Sequence, residues 1–118
     1  MTPDNFVSLI KEAVEVGAKD DVIENLKEPP GRKPDPELLK NSEWYLSLDE
    51  KGKERVKSII SDSISETIFG FLSVLDGVRS ISESGEENSL ELHHKDKGKR
   101  TLLNDQSKEY LHDMYKNT

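Results

Sequence analysis

A chain of 118 residues is long enough for one compact domain and too short for two ordinary ones. Its net charge of −7 argues against nucleic acid or an anionic membrane as the main partner, because both need clustered Lys and Arg. It has no cysteine, which excludes disulfides, thiolate nucleophiles, zinc ribbons and iron–sulfur clusters together, and it fits a cytoplasmic location.

Thr2-Pro3 reads as an N-cap followed by proline at the first helical position. Phe6, Leu9, Ile10, Ala13 and Val14 then mark one helical face, and Gly17 is the stop signal. The early Asp4 and this amphipathic spacing are not those of a signal peptide. A second helix is expected from Asp20 or Asp21 to Lys27, with Val22, Ile23 and Leu26 as its apolar edge. Residues 1–27 thus form the N-terminal helices. Residues 28–36, EPPGRKPDP, hold four of the five prolines and read as an extended connector or, as the sharper alternative, a proline-rich recognition motif.

Asp35-Pro36 repeats the cap-then-proline signature and opens a third helix to about Leu46, with Leu38, Leu39, Ser42, Tyr45 and Leu46 inward. Trp44 falls at the edge of that face, either packed over the next helix or standing out as a partner-facing anchor. Ser47-Leu48-Asp49-Glu50 has the S-x-x-E form of a capping box. The longest helix follows, Val56 to Gly77, and residues 37–81 make up the core helices. At 100° per residue Val56, Ile60, Ile64, Ile68, Phe71 and Leu75 share a face. From Ile68 the apolar arc widens nearly all round, so the second half is expected to be the most buried segment. Ser63, Thr67, Gly70 and Val74 form a stripe of small side chains, suited to close approach of a helix or strand or to a ligand groove. No run approaches the roughly 18 apolar residues of a membrane span. Asp76-Gly77 ends the helix, with glycine suited to the left-handed position.

After a polar stretch, SESGEENS, residues 89–104 read as a β-hairpin. Its strands are centred on Leu90–Lys95 and Arg100–Leu103, its turn is Asp96-Lys97-Gly98-Lys99, and Leu90, Leu92 and one of Leu102 or Leu103 point inward. Asn104-Asp105 is the expected cap of a last helix over residues 105–116, with Tyr110, Leu111, Met114 and Tyr115 on its apolar side. The fold class is α+β: a mainly helical bundle around one long central helix, a C-terminal hairpin and a final short helix.

No phosphate loop, dinucleotide glycine motif, G-x-S-x-G or H-E-x-x-H occurs. Of the three histidines, His93 and His94 are adjacent on a strand and point to opposite faces, so they do not share a metal easily. His94, His112 and Asp113 are the weak metal-ligating candidates; no catalytic residue and no cofactor is expected. Lys95, Lys97, Lys99 and Arg100 make the hairpin tip basic, while Glu83, Glu86 and Glu87 make the preceding loop acidic.

Ser42-Glu43-Trp44-Tyr45, Phe69-Gly70-Phe71-Leu72, Leu75-Asp76-Gly77-Val78 and Leu111-His112-Asp113 together resemble a family of small uncharacterised bacterial proteins, across about residues 28 to 115. The resemblance implies a bacterial source. It implies no activity and carries over no functional residue.

The functional expectation is a non-enzymatic acidic protein-binding module, a regulator, adaptor or immunity-type inhibitor facing a basic protein. Its partner-binding candidates are Trp44, Lys97, Lys99 and Arg100. Neither nucleic acid nor membrane is an expected partner, and a homodimer is an open alternative. The competing expectation is a small ligand-binding sensor or enzyme with a pocket near Gly70 or the His93/His94/His112 cluster.

Overall fold

The computed structural model describes residues 1–81 and 89–118. The acidic Glu83, Glu86 and Glu87 lie outside the described residues. In chain order the elements are α1 (Pro3–Ile10), a π-helical segment (Lys11–Val16), α2 (Gly17–Lys27), α3 (Pro36–Ser47), α4 (Glu50–Leu75), β1 (His93–Asp96), β2 (Lys99–Leu102) and α5 (Leu111–Lys116). The α+β architecture is as expected: a long helix, an antiparallel C-terminal hairpin and a short final helix. The chain divides into two compact units, residues 1–13 with 66–118, and residues 14–65.

In the first unit α1 begins as its sequence requires. Thr2 is the N-cap, its hydroxyl accepts from the backbone N–H of Asn5 at 3.2 Å, and Pro3 takes the first helical position, where no N–H is needed. The Asn5 side chain reaches back to the N-cap backbone, closing a capping box that uses Asn in place of the usual Glu or Gln. α1 and α5 pack against each other, burying Val7, Leu111 and Tyr115, and the Lys11 ammonium stands over the Tyr115 ring at 5.1 Å.

The C-terminal half of α4 supplies the rest of this core. All the buried residues of the helix, Ile68, Gly70, Leu72, Ser73 and Leu75, lie from Ile68 onward, as the widening apolar arc predicts. Phe71 departs from the expected face and is 64% exposed. Leu72 and Leu75 lie within about 40° of Ile68 around the helix, whereas Phe71 lies about 60° away on one flank. The opposite side is covered by the chain after the helix. Gly77, with φ +78°, closes a Schellman motif: its N–H donates to the Val74 carbonyl at 3.0 Å and the Val78 N–H to the Ser73 carbonyl at 3.1 Å. Arg79 then doubles back, and its guanidinium occupies the space a Cβ at Gly70 would fill. The small-residue stripe therefore receives an arginine side chain at Gly70, not a helix or strand.

The second unit contains α2, α3 and the first part of α4. Gly17 does not stop the first helix, because the chain passes through the π-helical turns into α2 and stays helical to Lys27. α2 packs on α3, which starts where Asp35 accepts from the N–H of Glu37 at 2.8 Å and Pro36 follows. Asp49, not Ser47, caps α4, accepting from the N–H of Gly52 at 2.7 Å, while Ser47 belongs to the end of α3. The core of this unit is thin. Tyr45 is its one fully buried apolar side chain among the described residues, beside the buried Ser42. Leu39 and Leu46, expected inward, are 40% and 52% exposed. Trp44 is 56% exposed, because the inner position of that turn belongs to Tyr45.

By length and by a mean hydropathy of 1.3 over an 18-residue window, α4 meets the measures of a membrane-crossing helix, measures that the core helices of soluble proteins also meet. Asp62 and Glu66 interrupt its apolar run.

Candidate functional site

The hairpin builds a site through its turn. Lys97 (φ +49°) and Gly98 (φ +81°) are both left-handed, the requirement of a two-residue type I′ turn, whose twist matches that of the flanking strands. That turn sets the register: His93 pairs with Leu102, His94 with Thr101, Lys95 with Arg100 and Asp96 with Lys99. Alternation then places His94, Asp96, Lys99 and Thr101 on one face. These four line an open cavity of about 430 Å³, closed by Met1, Thr2 and Pro3 at the start of α1 and by Lys108.

Lys108 is positioned by a turn. The Asp105 carboxylate accepts from the Ser107 hydroxyl at 2.6 Å and from the Ser107 N–H at 3.0 Å, and the Lys108 N–H donates to the Asp105 carbonyl at 3.1 Å. The expected helix start at Asn104-Asp105 is thus a turn, and α5 begins only at Leu111. The Ser107 hydroxyl, then the Ser107 N–H, hold the Asp105 carboxyl below the usual aspartate range; slight burial opposes them and the Lys108 charge helps. A depressed carboxylate stabilises the fold fully above the ordinary aspartate range and loses that contribution as pH falls through its own lowered value. Ser107→Ala removes the largest cause, so the Asp105 carboxyl is expected to titrate at a higher pH, read from its side-chain carbon resonance. An unchanged midpoint would show that the hydroxyl has no such effect.

The other polar cluster joins α4 to α5. Asp76, 3% exposed, accepts through one carboxylate oxygen from the Leu111 N–H at 3.0 Å. Its second oxygen accepts from the His112 N–H at 2.9 Å and the His112 ring Nδ1 at 2.6 Å. A carboxylate only accepts, so the imidazole carries its proton on Nδ1. The ring stacks on Tyr110 at 5.5 Å and forms a T-shaped pair with Phe69 at 5.3 Å, and its Nε2 lies 3.4 Å from Asp113. A second clip is Asn104, 5% exposed. Its amide donates to the carbonyls of Leu75 at 2.6 Å and Leu90 at 2.8 Å, and its oxygen accepts from the Leu92 N–H at 2.8 Å.

The residues singled out in the sequence separate as follows. Lys99 and His94 line the cavity, and Lys97 and Arg100 are exposed at the hairpin tip. His93 faces away from His94; its Nε2 lies 3.1 Å from Glu91, and its buried Nδ1 has no partner among the described residues. His112 and Asp113 belong to the α4–α5 cap, and among the described residues no group of three His, Cys, Asp or Glu side chains is arranged to hold a metal. Gly70 is covered by Arg79. Of the inward hairpin leucines Leu103 is buried and Leu92 half-buried, whereas Leu90 is 47% exposed. Comparisons with family models, with curated proteins and with solved structures each found no match.

The sequence reading missed Asp96, Thr101 and Lys108 as cavity residues and Asp76 and Asn104 as clips. The first two follow from the turn once its two-residue length is known. Asp76 carries a subtler signal, since an acidic residue at a helix C-terminus opposes the helix dipole and so calls for donors from elsewhere.

Proposed function

We propose that this chain is a non-enzymatic protein-binding module, and that residues 14–65 carry its contact surface. The observation behind this reading is the exposure of Trp44, at 56%. Val22, Leu39, Leu46 and Ile59 are exposed in the same unit, whose only fully buried apolar side chain among the described residues is Tyr45. Exposed aromatic and aliphatic side chains on a unit with so little core suit a surface completed by association, and Trp is the residue type most enriched at binding anchors. Lys97 and Arg100 at the hairpin tip offer a separate basic contact.

A binding role is also supported by the fate of the most enzyme-like pair in the chain. Both ring nitrogens of His112 face carboxylates, Asp76 and Asp113, and the Asp76–His112 pair seats a helix. The acidic net charge favours a basic protein partner, and a chain without cysteine that resembles small bacterial proteins suits a bacterial cytoplasm.

The test is affinity capture from bacterial extract at low salt, with the full chain and its Trp44→Ala variant as parallel baits. A specific protein retained by the first and lost from the second is expected, since truncating an anchor of this kind costs about 2 kcal/mol or more, roughly thirtyfold in Kd. Sedimentation of the chain alone over a concentration series reports the homodimer alternative. Identical retention by both baits, with a monomer at all concentrations, would sink the reading.

A further inference from the structure

We propose that the cavity on the hairpin face is a binding site for a small phosphorylated metabolite bearing hydroxyl groups. The proposal is independent of the protein-binding surface on residues 14–65.

The volume, about 430 Å³, falls within the roughly 300–1,000 Å³ typical of small-molecule sites. The lining mixes apolar surface, from Met1 and Pro3 among others, with polar groups whose charges are unequal. Lys99 and Lys108 contribute two ammonium groups against one lining carboxylate, Asp96. Among the described residues neither lysine has a carboxylate within ion-pair distance, and the Asp105 carboxylate on which the Lys108 charge acts is already engaged by the Ser107 hydrogen bonds. Ammonium groups with no ion-pair partner among the described residues are point-charge binders of phosphate. The Thr101 hydroxyl and His94 ring, paired across the strands, add hydrogen-bonding groups beside them.

Asp96 decides what else the ligand carries. It sits opposite Lys99 across the turn and lines the same cavity, so it would repel an anion that filled the whole space. As an acceptor it instead suits hydroxyl donors at the end of the ligand away from the phosphate. A sugar phosphate presents both chemistries, while a bare dicarboxylate meets the carboxylate of Asp96 with a second negative charge. The chain as a whole is at −7 and does not attract anions from a distance, so the affinity rests on these local groups.

The experiment is a titration of the isotope-labelled full chain followed by amide resonances, with glucose 6-phosphate, inorganic phosphate and glucose as separate probes. Saturable shifts at His94, Thr101 and Lys108 are expected with glucose 6-phosphate, weaker ones with inorganic phosphate and none with glucose. Lys99→Ala/Lys108→Ala should weaken the sugar phosphate at least about tenfold. Both lysines are exposed, so the variant's spectrum should be unchanged outside the cavity, and each single variant provides a second reading. The site is disproved by no saturable shift with either phosphate probe at about 10 mM, a concentration that would reveal even millimolar affinity. It is equally disproved by binding the double variant retains, or by shifts centred away from the hairpin. Equal binding of inorganic phosphate and glucose 6-phosphate would overturn the hydroxyl assignment to Asp96.

Discussion

Asp76→Asn should destabilise the protein by about 3 kcal/mol and release α5 from the end of α4. The expectation follows from the donor count around the carboxylate. Three donors, the N–H groups of Leu111 and His112 and the His112 Nδ1–H, converge on its two oxygens. Asparagine has the same shape but only one acceptor oxygen. Whichever way its amide turns, its NH₂ faces at least one backbone N–H, which is left without a partner in a site where Asp76 is 3% exposed. Orphaned buried donors cost about 1–3 kcal/mol each, and hydrogen bonds to a charged group are worth roughly 1.5–3 kcal/mol, so about 3 kcal/mol in total is a moderate figure. The helix dipole acts in the same direction. α5 loses the negative charge at its N-terminus, where Tyr110 occupies the cap position without a side-chain cap of its own. Denaturant unfolding measures the loss, and amide exchange locates it: Leu111 and His112 should exchange faster than Val7. A loss under about 1 kcal/mol would mean that the carboxylate does not seat α5.

The contrast between α1 and α5 shows which parts of the fold are legible in the sequence. Thr2-Pro3 and Asp35-Pro36 lie next to the helices they start, so cap and helix are read together and both starts are placed correctly. The cap of α5 lies 35 residues upstream, at Asp76, beyond the reach of any local pattern. The nearest local substitute, Asn104-Asp105, is just as polar, but its two side chains do other work: Asn104 ties the hairpin to α4 and Asp105 folds the turn before Lys108. The apolar faces divide in the same way. Periodicity places Ile68, Leu72 and Leu75 inside, because one arc of the helix contains them all. It overestimates the width of the covered arc at Phe71 and in α3 at Leu39 and Leu46, because coverage depends on what arrives from elsewhere in the chain. The cavity is legible only after the register is known. The glycine turn is visible in the sequence, and a four-residue or a two-residue turn alike sets His94 opposite Thr101; only the two-residue turn extends the strands to Asp96 and Lys99 and so puts that pair on the same face.

Asn104→Asp is expected to be as damaging as Asp76→Asn, again about 3 kcal/mol, and to act on the hairpin first. Asn104 uses both its chemistries. Its NH₂ satisfies the Leu75 carbonyl, one of the acceptors that α4 leaves open at its C-terminus, and the Leu90 carbonyl; its oxygen takes the Leu92 N–H ahead of β1. Aspartate keeps the last bond and turns the other two into contacts between a carboxylate and two carbonyl oxygens, in a position only 5% exposed. Burying an unpaired charge there costs several kcal/mol unless the carboxyl takes up a proton, and even a protonated carboxyl has one donor for two carbonyls. Asn104→Ala leaves the same carbonyls unpaired but adds no charge, so it should be the milder variant at neutral pH. The order of the two, Asp worse than Ala, is the discriminating result in a denaturant series. Exchange at Leu103, whose N–H donates to the Leu92 carbonyl at 2.8 Å, should quicken in both variants, since that bond continues the strand pairing which Asn104 anchors to α4. If Leu103 stays protected in Asn104→Asp while global stability falls, the hairpin holds itself together and Asn104 serves only the end of α4. If it exchanges early, the face that carries His94, Thr101 and Lys99 depends on a single amide for its attachment to the helical core.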